Sequence, residues 1–107
     1  NTAAYKEYSA KAYSAEKQSE LNDGMNALIA EFAGCMADGN TPKSEEAQVL
    51  VKKWQTYITE NYYTCTKEIL AGLGTMYTAD ERFKANIDRY GKGTAEFMYA
   101  AIQKYCR

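Results

Sequence analysis

The chain has 107 residues, of which 46% are apolar and one is proline, so it is long enough for one domain with a hydrophobic core, and its composition is not that of a disordered chain. Its net charge is −1 and its longest basic run is the pair Lys52-Lys53, which excludes the basic surface of a nucleic-acid-binding protein. The lack of histidine excludes His-dependent nucleophiles, His-ligated zinc and His-ligated haem.

The three cysteines, Cys35, Cys65 and Cys106, are far apart and odd in number. The sequence contains no CxxC pair and so predicts neither a zinc knuckle nor a redox site. We therefore expect free thiols, no metal and no cofactor. No apolar run is long enough to span a membrane and no signal peptide is present, which predicts a cytoplasmic protein. Because the sequence starts at Asn1 without Met, we expect it to be a piece of a longer protein.

The first two predicted helices differ in strength. Residues 2–12 have good helix propensity but a weak apolar stripe, so we expect a short helix that is loosely held or becomes ordered when a ligand binds. Ser14 is a plausible N-cap for a second helix over residues 15–38, which should end at Gly39. Its core-facing stripe consists of Leu21, Met25, Leu28, Ile29, Phe32, Cys35 and Met36.

The middle of the chain predicts two further helices. Ser44 should cap the third, with Ala47, Leu50, Val51, Trp54, Tyr57 and Ile58 on its apolar side. At Asn61 this helix either ends or bends and continues. A fourth helix is predicted over residues 63–77, with Cys65, Ile69, Leu73, Met76 and Tyr77 on one side. Its interior glycines, Gly72 and Gly74, indicate the close approach of another helix or of a ligand.

Two shorter helices complete the prediction. Thr78 followed by Glu81 fits a capping box for a fifth helix, which carries Phe83 and Ile87. The Gly91–Gly93 segment should end it, and a last amphipathic helix follows. No strand pattern occurs, so we predict one all-α domain over residues 1–107, built from five or six helices.

The candidate site is the aromatic face of the third helix. Trp54, Tyr57, Ile58 and Tyr62 are spaced so that they share one side, where they form either part of the core or the wall of a pocket for an apolar ligand. Cys65 is a nucleophile, a covalent trap or a buried apolar residue, and nothing in the sequence identifies a base to activate it.

The order of motifs resembles the TipAS family, the antibiotic-recognition domain at the C-terminus of TipA-like MerR-family transcription regulators. The motifs are MADG (36–39), SEEA (44–47), NYYTC (61–65) and above all MYTADERFKANIDRYGKG (76–93). The resemblance covers nearly the whole chain.

The resemblance implies a small globin-like helical bundle without haem that binds bulky apolar antibiotics, with thiopeptides such as thiostrepton the best-known class. Ligand binding orders the N-terminal part in this family, and a DNA-binding domain and a dimerising coiled coil precede the domain in full-length regulators. We therefore expect DNA binding only through a segment outside this chain, a homodimer in the full-length protein and a monomeric fragment. The expected ligand-binding residues are Leu28, Phe32, Trp54, Tyr57, Ile58, Tyr62, Cys65, Leu73, Met76 and Tyr77.

Two departures from the family pattern affect the expected chemistry. Gly72 occupies the position where members that capture a thiopeptide covalently have a cysteine, so we expect reversible binding. Trp54 stands where the family often has histidine, so the polarity of the pocket is expected to differ.

The first hypothesis is therefore a non-enzymatic effector domain of a drug-responsive transcription activator, with the ligand in a cleft between the second, third and fourth predicted helices. The alternative is a stand-alone protein that sequesters an antibiotic. An enzyme based on Cys65 or on carboxylates is a third.

Overall fold

A computed structural model describes residues 15–107, and these residues contain five α-helices and no strand. The all-α prediction is confirmed. The predictions for residues 2–12 and for Ser14 lie outside the described residues. The helices are α1 (Ala15–Ala37), α2 (Glu45–Asn61), α3 (Lys67–Ala79), α4 (Glu81–Asp88) and α5 (Thr94–Tyr105). None of these five helices is long and apolar enough to cross a membrane.

Gly39 ends α1, the second helix of the sequence prediction, as expected. It adopts a left-handed conformation with φ of +89°. Its N–H donates to the carbonyl of Met36 at 3.1 Å, and the N–H of Asn40 donates to the carbonyl of Cys35 at 3.3 Å. These two bonds form a Schellman motif, which satisfies carbonyls that the helix would otherwise leave without a donor.

The boundaries of α2 also follow from local chemistry. The Ser44 hydroxyl accepts a hydrogen bond from the N–H of Ala47 at 3.2 Å, which confirms Ser44 as the N-cap. The helix ends at Asn61 and does not bend and continue. Its buried residues are Ala47, Leu50, Val51, Trp54 and Ile58.

The predicted start of the next helix at residue 63 is wrong. Helix α3 begins at Lys67, after the N-cap Thr66, whose hydroxyl accepts from the N–H of Ile69 at 3.2 Å. Cys65 therefore lies in the connection before α3 and not on its apolar side. Two side chains from α2 hold this connection by hydrogen bonds: Thr59 accepts from the N–H of Cys65 at 3.1 Å, and Gln55 donates to its carbonyl at 2.8 Å.

The prediction of a capping box at Thr78 is also wrong. Helix α3 continues to Ala79, and the Thr78 hydroxyl donates to the carbonyl of Thr75 at 3.1 Å inside it. Asp80 is the N-cap of α4, with one carboxylate oxygen accepting from the N–H of Arg82 at 2.9 Å. A carboxylate next to the positive end of the helix dipole is the stronger cap at this corner.

Helix α5 is the centre of the bundle, because it packs against each of the other four described helices. Gly74 of α3 permits one of these contacts: a Cβ added there would lie 3.1 Å from Cγ2 of Ile102. The predicted close approach of a helix is therefore present at Gly74. At Gly72 an added Cβ would meet nothing within 4 Å, so this glycine serves no such contact.

Candidate functional site

Helices α1, α3 and α4 enclose a cleft whose floor is formed by α2. The cleft consists of two adjoining cavities, of about 330 Å³ and about 290 Å³. Asn22, Met25, Tyr77 and Phe83 line both. We call this pair of cavities the aromatic cleft. Its other lining residues are Asn26, Ile29, Trp54, Asn86 and Ile87 in the larger cavity and Ile58, Tyr62, Tyr63, Leu73 and Met76 in the smaller one.

Six of the ten residues expected to bind a ligand line this cleft: Trp54, Ile58, Tyr62, Leu73, Met76 and Tyr77. The structure places the other four elsewhere. Phe32 is fully buried in the core, and Cys65, in the connection before α3, is 3% exposed. Leu28 and Tyr57 line a separate groove between α1 and α2.

Helical geometry explains this division. Asn22, Met25, Asn26 and Ile29 follow the i, i+3, i+4, i+7 spacing of a single helix face, and this face of α1 lines the cleft. Leu28 belongs to the neighbouring face, with Gly24 and Ala27. The apolar stripe of α1 is wide enough to serve both sides, so the pattern alone does not separate them.

Sequence reasoning missed the polar rim of the cleft and the contribution of α4. Phe83 is 42% exposed, and its ring lies 6.1 Å from that of Tyr77. Asn86 is on the same short helix, and Asn22 and Asn26 face it from α1. The i, i+3 spacing of Phe83 and Asn86 indicates that they share one face of α4. The sequence does not indicate that this face lies opposite α1, because that depends on the fold.

Trp54 is the deepest aromatic residue of the cleft. Its side chain is 2% exposed and lies edge-on between Phe32, at a ring distance of 6.3 Å, and Tyr77, at 6.1 Å. Among the buried side-chain nitrogen and oxygen atoms in the described part of the chain, Nε1 of Trp54 is the one without a hydrogen-bond partner. A buried donor left unpaired costs on the order of 1–3 kcal/mol, which marks this position as unusual for a simple core residue.

The phenols of Tyr63 and Tyr77 are held in their neutral form by burial. Burial raises the pKa of Tyr77, and the indole N–H of Trp54 acts in the opposite direction on it, although no hydrogen bond of good geometry joins the two. Burial also raises the pKa of Tyr63. Within residues 15–107, no Asp, Glu, Lys or Arg lines the aromatic cleft. The cleft therefore offers apolar and aromatic surface with a few neutral polar groups.

Cys65 lacks the features of a nucleophile. Burial, with a smaller contribution from nearby Cys106, raises the pKa of its thiol to about 11, so it is protonated at neutral pH. Gly72, the position that the resemblance associates with covalent capture, faces solvent outside the cleft. In residues 15–107 no group of three or more His, Cys, Asp and Glu is placed to hold a metal ion.

The groove between α1 and α2 differs in chemistry from the aromatic cleft. Its volume is about 530 Å³, and Glu31, Lys52, Lys53 and Glu60 lie along it. Lys53 forms an exposed ion pair with Glu31 at 3.6 Å. Charged, open surface of this kind is less suited to an apolar ligand than the aromatic cleft.

Comparisons with known proteins agree with this architecture. The chain matches the sequence model of the TipAS antibiotic-recognition domain over residues 1–105. It is 36% identical over 95 residues to the HTH-type transcriptional activator mta of Bacillus subtilis, covering 89% of this chain and 36% of the relative. To the HTH-type transcriptional activator TipA of Streptomyces coelicolor it is 35% identical over 104 residues, covering 95% of this chain and 41% of the relative. The chain thus spans well under half the length of these relatives.

Two solved structures are similar. The complex of nosiheptide with TipAS, from a thiopeptide antibiotic multidrug resistance system of Streptomyces lividans, matches with a TM-score of 0.88 at 33% identity, over 99% of this chain and 76% of that one. The antibiotic-binding domain of a TipA-class multidrug resistance transcriptional regulator matches with a TM-score of 0.74 at 34% identity, over 80% and 92% of the two chains. By a match that spans nearly its full length, the chain belongs to the TipAS antibiotic-recognition domain family.

Proposed function

We propose that this domain binds a bulky, uncharged, multi-ring antibiotic of the thiopeptide class in the aromatic cleft. The observation that carries the proposal is the cleft itself, because two adjoining cavities without a charged side chain have aromatic rings from three helices on their walls. Cavities of roughly 300 Å³ and more are typical of small-molecule sites lined mainly by apolar groups. The related Streptomyces lividans domain is in complex with nosiheptide, a thiopeptide.

Binding is proposed to be reversible and without chemical change. The cleft contains no carboxylate or amine to act as an acid or base, and burial raises the pKa of Tyr63 and of Tyr77. The Cys65 thiol is buried and protonated, and Gly72 offers no side chain for a covalent bond. Affinity would then come from burying ligand rings against Trp54 and Tyr77.

In the whole protein the domain is proposed to control transcription in the cytoplasm. The relatives that it matches are activators of the helix-turn-helix type, and the chain corresponds to 36–41% of their length. We propose that the parent protein forms a homodimer, carries its DNA-binding part in the remaining length and responds to ligand in this domain. One similar structure is the antibiotic-binding domain of a multidrug resistance transcriptional regulator, which favours regulation over simple sequestration of the drug.

A pair of matched substitutions tests the cleft. Asn22 is exposed on α1 and lines both cavities, so Asn22→Trp places a large ring in the cleft without disturbing the core. Val49 is 50% exposed and lines the opposite side, so Val49→Trp is the control. Nosiheptide binding is measured by isothermal titration calorimetry, with thermal melting to verify that both variants fold.

The expected result is a loss of roughly tenfold or more in nosiheptide affinity for Asn22→Trp, equivalent to about 1.4 kcal/mol, and unchanged affinity for Val49→Trp. A mass spectrum of the complex after denaturation should contain only the unmodified chain. Equal affinity in the two variants would place the ligand outside the cleft, and a stable adduct would exclude reversible binding.

A further inference from the structure

The indole nitrogen of Trp54 is a buried polar atom at the floor of the aromatic cleft and has no hydrogen-bond partner of good geometry. Trp54 is 2% exposed and lines the larger cavity. Buried polar atoms in folded proteins almost always have a partner. In the described residues every other buried side-chain nitrogen or oxygen has one. The Tyr77 hydroxyl is near enough to the indole N–H to feel it, but the two are not aligned for a hydrogen bond, so a ligand in this cavity can supply the missing acceptor.

The surroundings of the nitrogen restrict what that partner is. The Tyr77 ring, which also lines the cavity, stands edge-on to the indole at 6.1 Å, and the fully buried Phe32 ring lies at 6.3 Å. A donor in this place requires an acceptor. No Lys or Arg lines either cavity to balance a negative charge, and an unbalanced buried anion is strongly unfavourable. A neutral acceptor is therefore the one the site can hold.

We infer that Trp54 determines ligand specificity by donating an Nε1–H hydrogen bond to a neutral acceptor on the ligand, an azole-type ring nitrogen or an amide carbonyl. This inference rests on the proposed function and adds to it the class of atom that the ligand must present. The donor is already desolvated in the free protein, so binding gains the hydrogen bond without first removing water from the indole. A ligand with a C–H at that point leaves the donor unpaired and binds less tightly.

The sequence permits a direct observation of this bond, because Trp54 is the single tryptophan. A ¹⁵N–¹H spectrum therefore contains one indole resonance. On addition of nosiheptide we expect this proton to move downfield and to exchange with solvent more slowly. In the same titration, methyl resonances of Met25, Leu73 and Met76 report whether the ligand occupies the cleft.

An isosteric replacement separates a ligand-directed role from a structural one. Trp54 replaced by 3-benzothienylalanine, introduced by chemical synthesis of the chain, keeps the shape of the ring and lacks the N–H. The free variant should melt at a temperature equal to or above that of the parent, since an unpaired buried donor is removed. Its affinity for nosiheptide should fall roughly three- to tenfold, the usual worth of one hydrogen bond. A structural role for the N–H would instead lower the melting temperature.

The failures of the two proposals are distinguishable. If the methyl groups respond to nosiheptide but the indole resonance stays unchanged, or if the isostere binds as tightly as the parent, the cleft stands and the role of Trp54 is wrong. If none of the cleft methyl groups responds at saturating nosiheptide, the proposed thiopeptide function is wrong, and the inference built on it falls as well.

Discussion

Tyr57 of α2 lies directly over Gly24 of α1, and each residue depends on the other. The Tyr57 hydroxyl donates a 2.6 Å hydrogen bond to the carbonyl of Leu21 on α1, and burial raises the pKa of this phenol. A Cβ added to Gly24 would lie 2.8 Å from Cζ of the tyrosine and would also overlap its hydroxyl. The absence of a side chain at Gly24 therefore leaves room for the Tyr57 ring, whose hydroxyl bonds to the backbone of α1.

Gly24→Ala is expected to destabilise the domain even though alanine favours a helix. Helix propensity would contribute up to about 1 kcal/mol in favour of alanine, whereas displacing a packed ring costs typically 1–3 kcal/mol. Gly34→Ala is the control, because Gly34 is exposed on the same helix and an added Cβ there meets nothing within 4 Å. It should stabilise by roughly 0.5–1 kcal/mol. Urea unfolding measures both, and effects of the same sign would contradict the contact.

The connection before α3 depends on Gln55. Its amide nitrogen donates to the carbonyl of Cys65 at 2.8 Å, and its amide oxygen accepts from the Tyr105 hydroxyl at 2.9 Å. Gln55→Ala leaves both partners without this bond and should lower the free energy of unfolding by about 1–3 kcal/mol. Gln103→Ala is a matched control, since Gln103 reaches the carbonyl of Ala71 only at 3.4 Å. Equal losses in urea unfolding of the two variants would exclude a special role for Gln55.

The corner between α3 and α4 gives a test of which residue caps the helix. Asp80→Ala removes the acceptor of the Arg82 N–H and should cost about 1 kcal/mol, within the usual 0.5–2 kcal/mol range for caps. Thr78→Ala removes only a hydroxyl that donates back to the carbonyl of Thr75, so it should change stability by less than about 0.5 kcal/mol. Thermal melting of the two single variants distinguishes them, and the reverse order would restore the capping box at Thr78.

Local chemistry explains which boundaries the sequence predicted correctly. Ser44 bonds to a residue three positions away and Gly39 requires only its own left-handed conformation, so short patterns contain the necessary information. The start of α3 was predicted four residues too early because Cys65 is held by Thr59 and Gln55, six and ten positions back, on a different helix. Such contacts depend on the fold and leave no periodic signal.

The candidate site was predicted in part for a similar reason. Trp54, Ile58 and Tyr62 repeat every four residues, and the structure keeps them together along the cleft. Tyr57 belongs to the same apolar stripe but turns toward α1, because Gly24 opens a place for it there. Side-chain spacing defines a helix face to within one turn, and the neighbouring helix then decides which edge of that face borders a cavity.

Buried thiol and phenol groups make the stability of the domain sensitive to alkaline pH. The pKa of Cys65 is about 11 in the folded protein against an ordinary value of 9.0, because burial disfavours the thiolate, and burial raises the pKa of Tyr77 in the same direction. Above pH 9 the unfolded chain loses the thiol proton while the folded chain retains it. The contribution of Cys65 to the free energy of unfolding should therefore be fully present below pH 9 and be lost as the pH rises from 9 to about 11. Urea unfolding across this range, in the presence of a reductant, measures the slope.

Cys65→Ala should be less stable at neutral pH because of the small cavity it creates, but its stability should decline less steeply with pH. An identical slope in the two proteins would mean that the Cys65 thiol ionises alike in the folded and unfolded states.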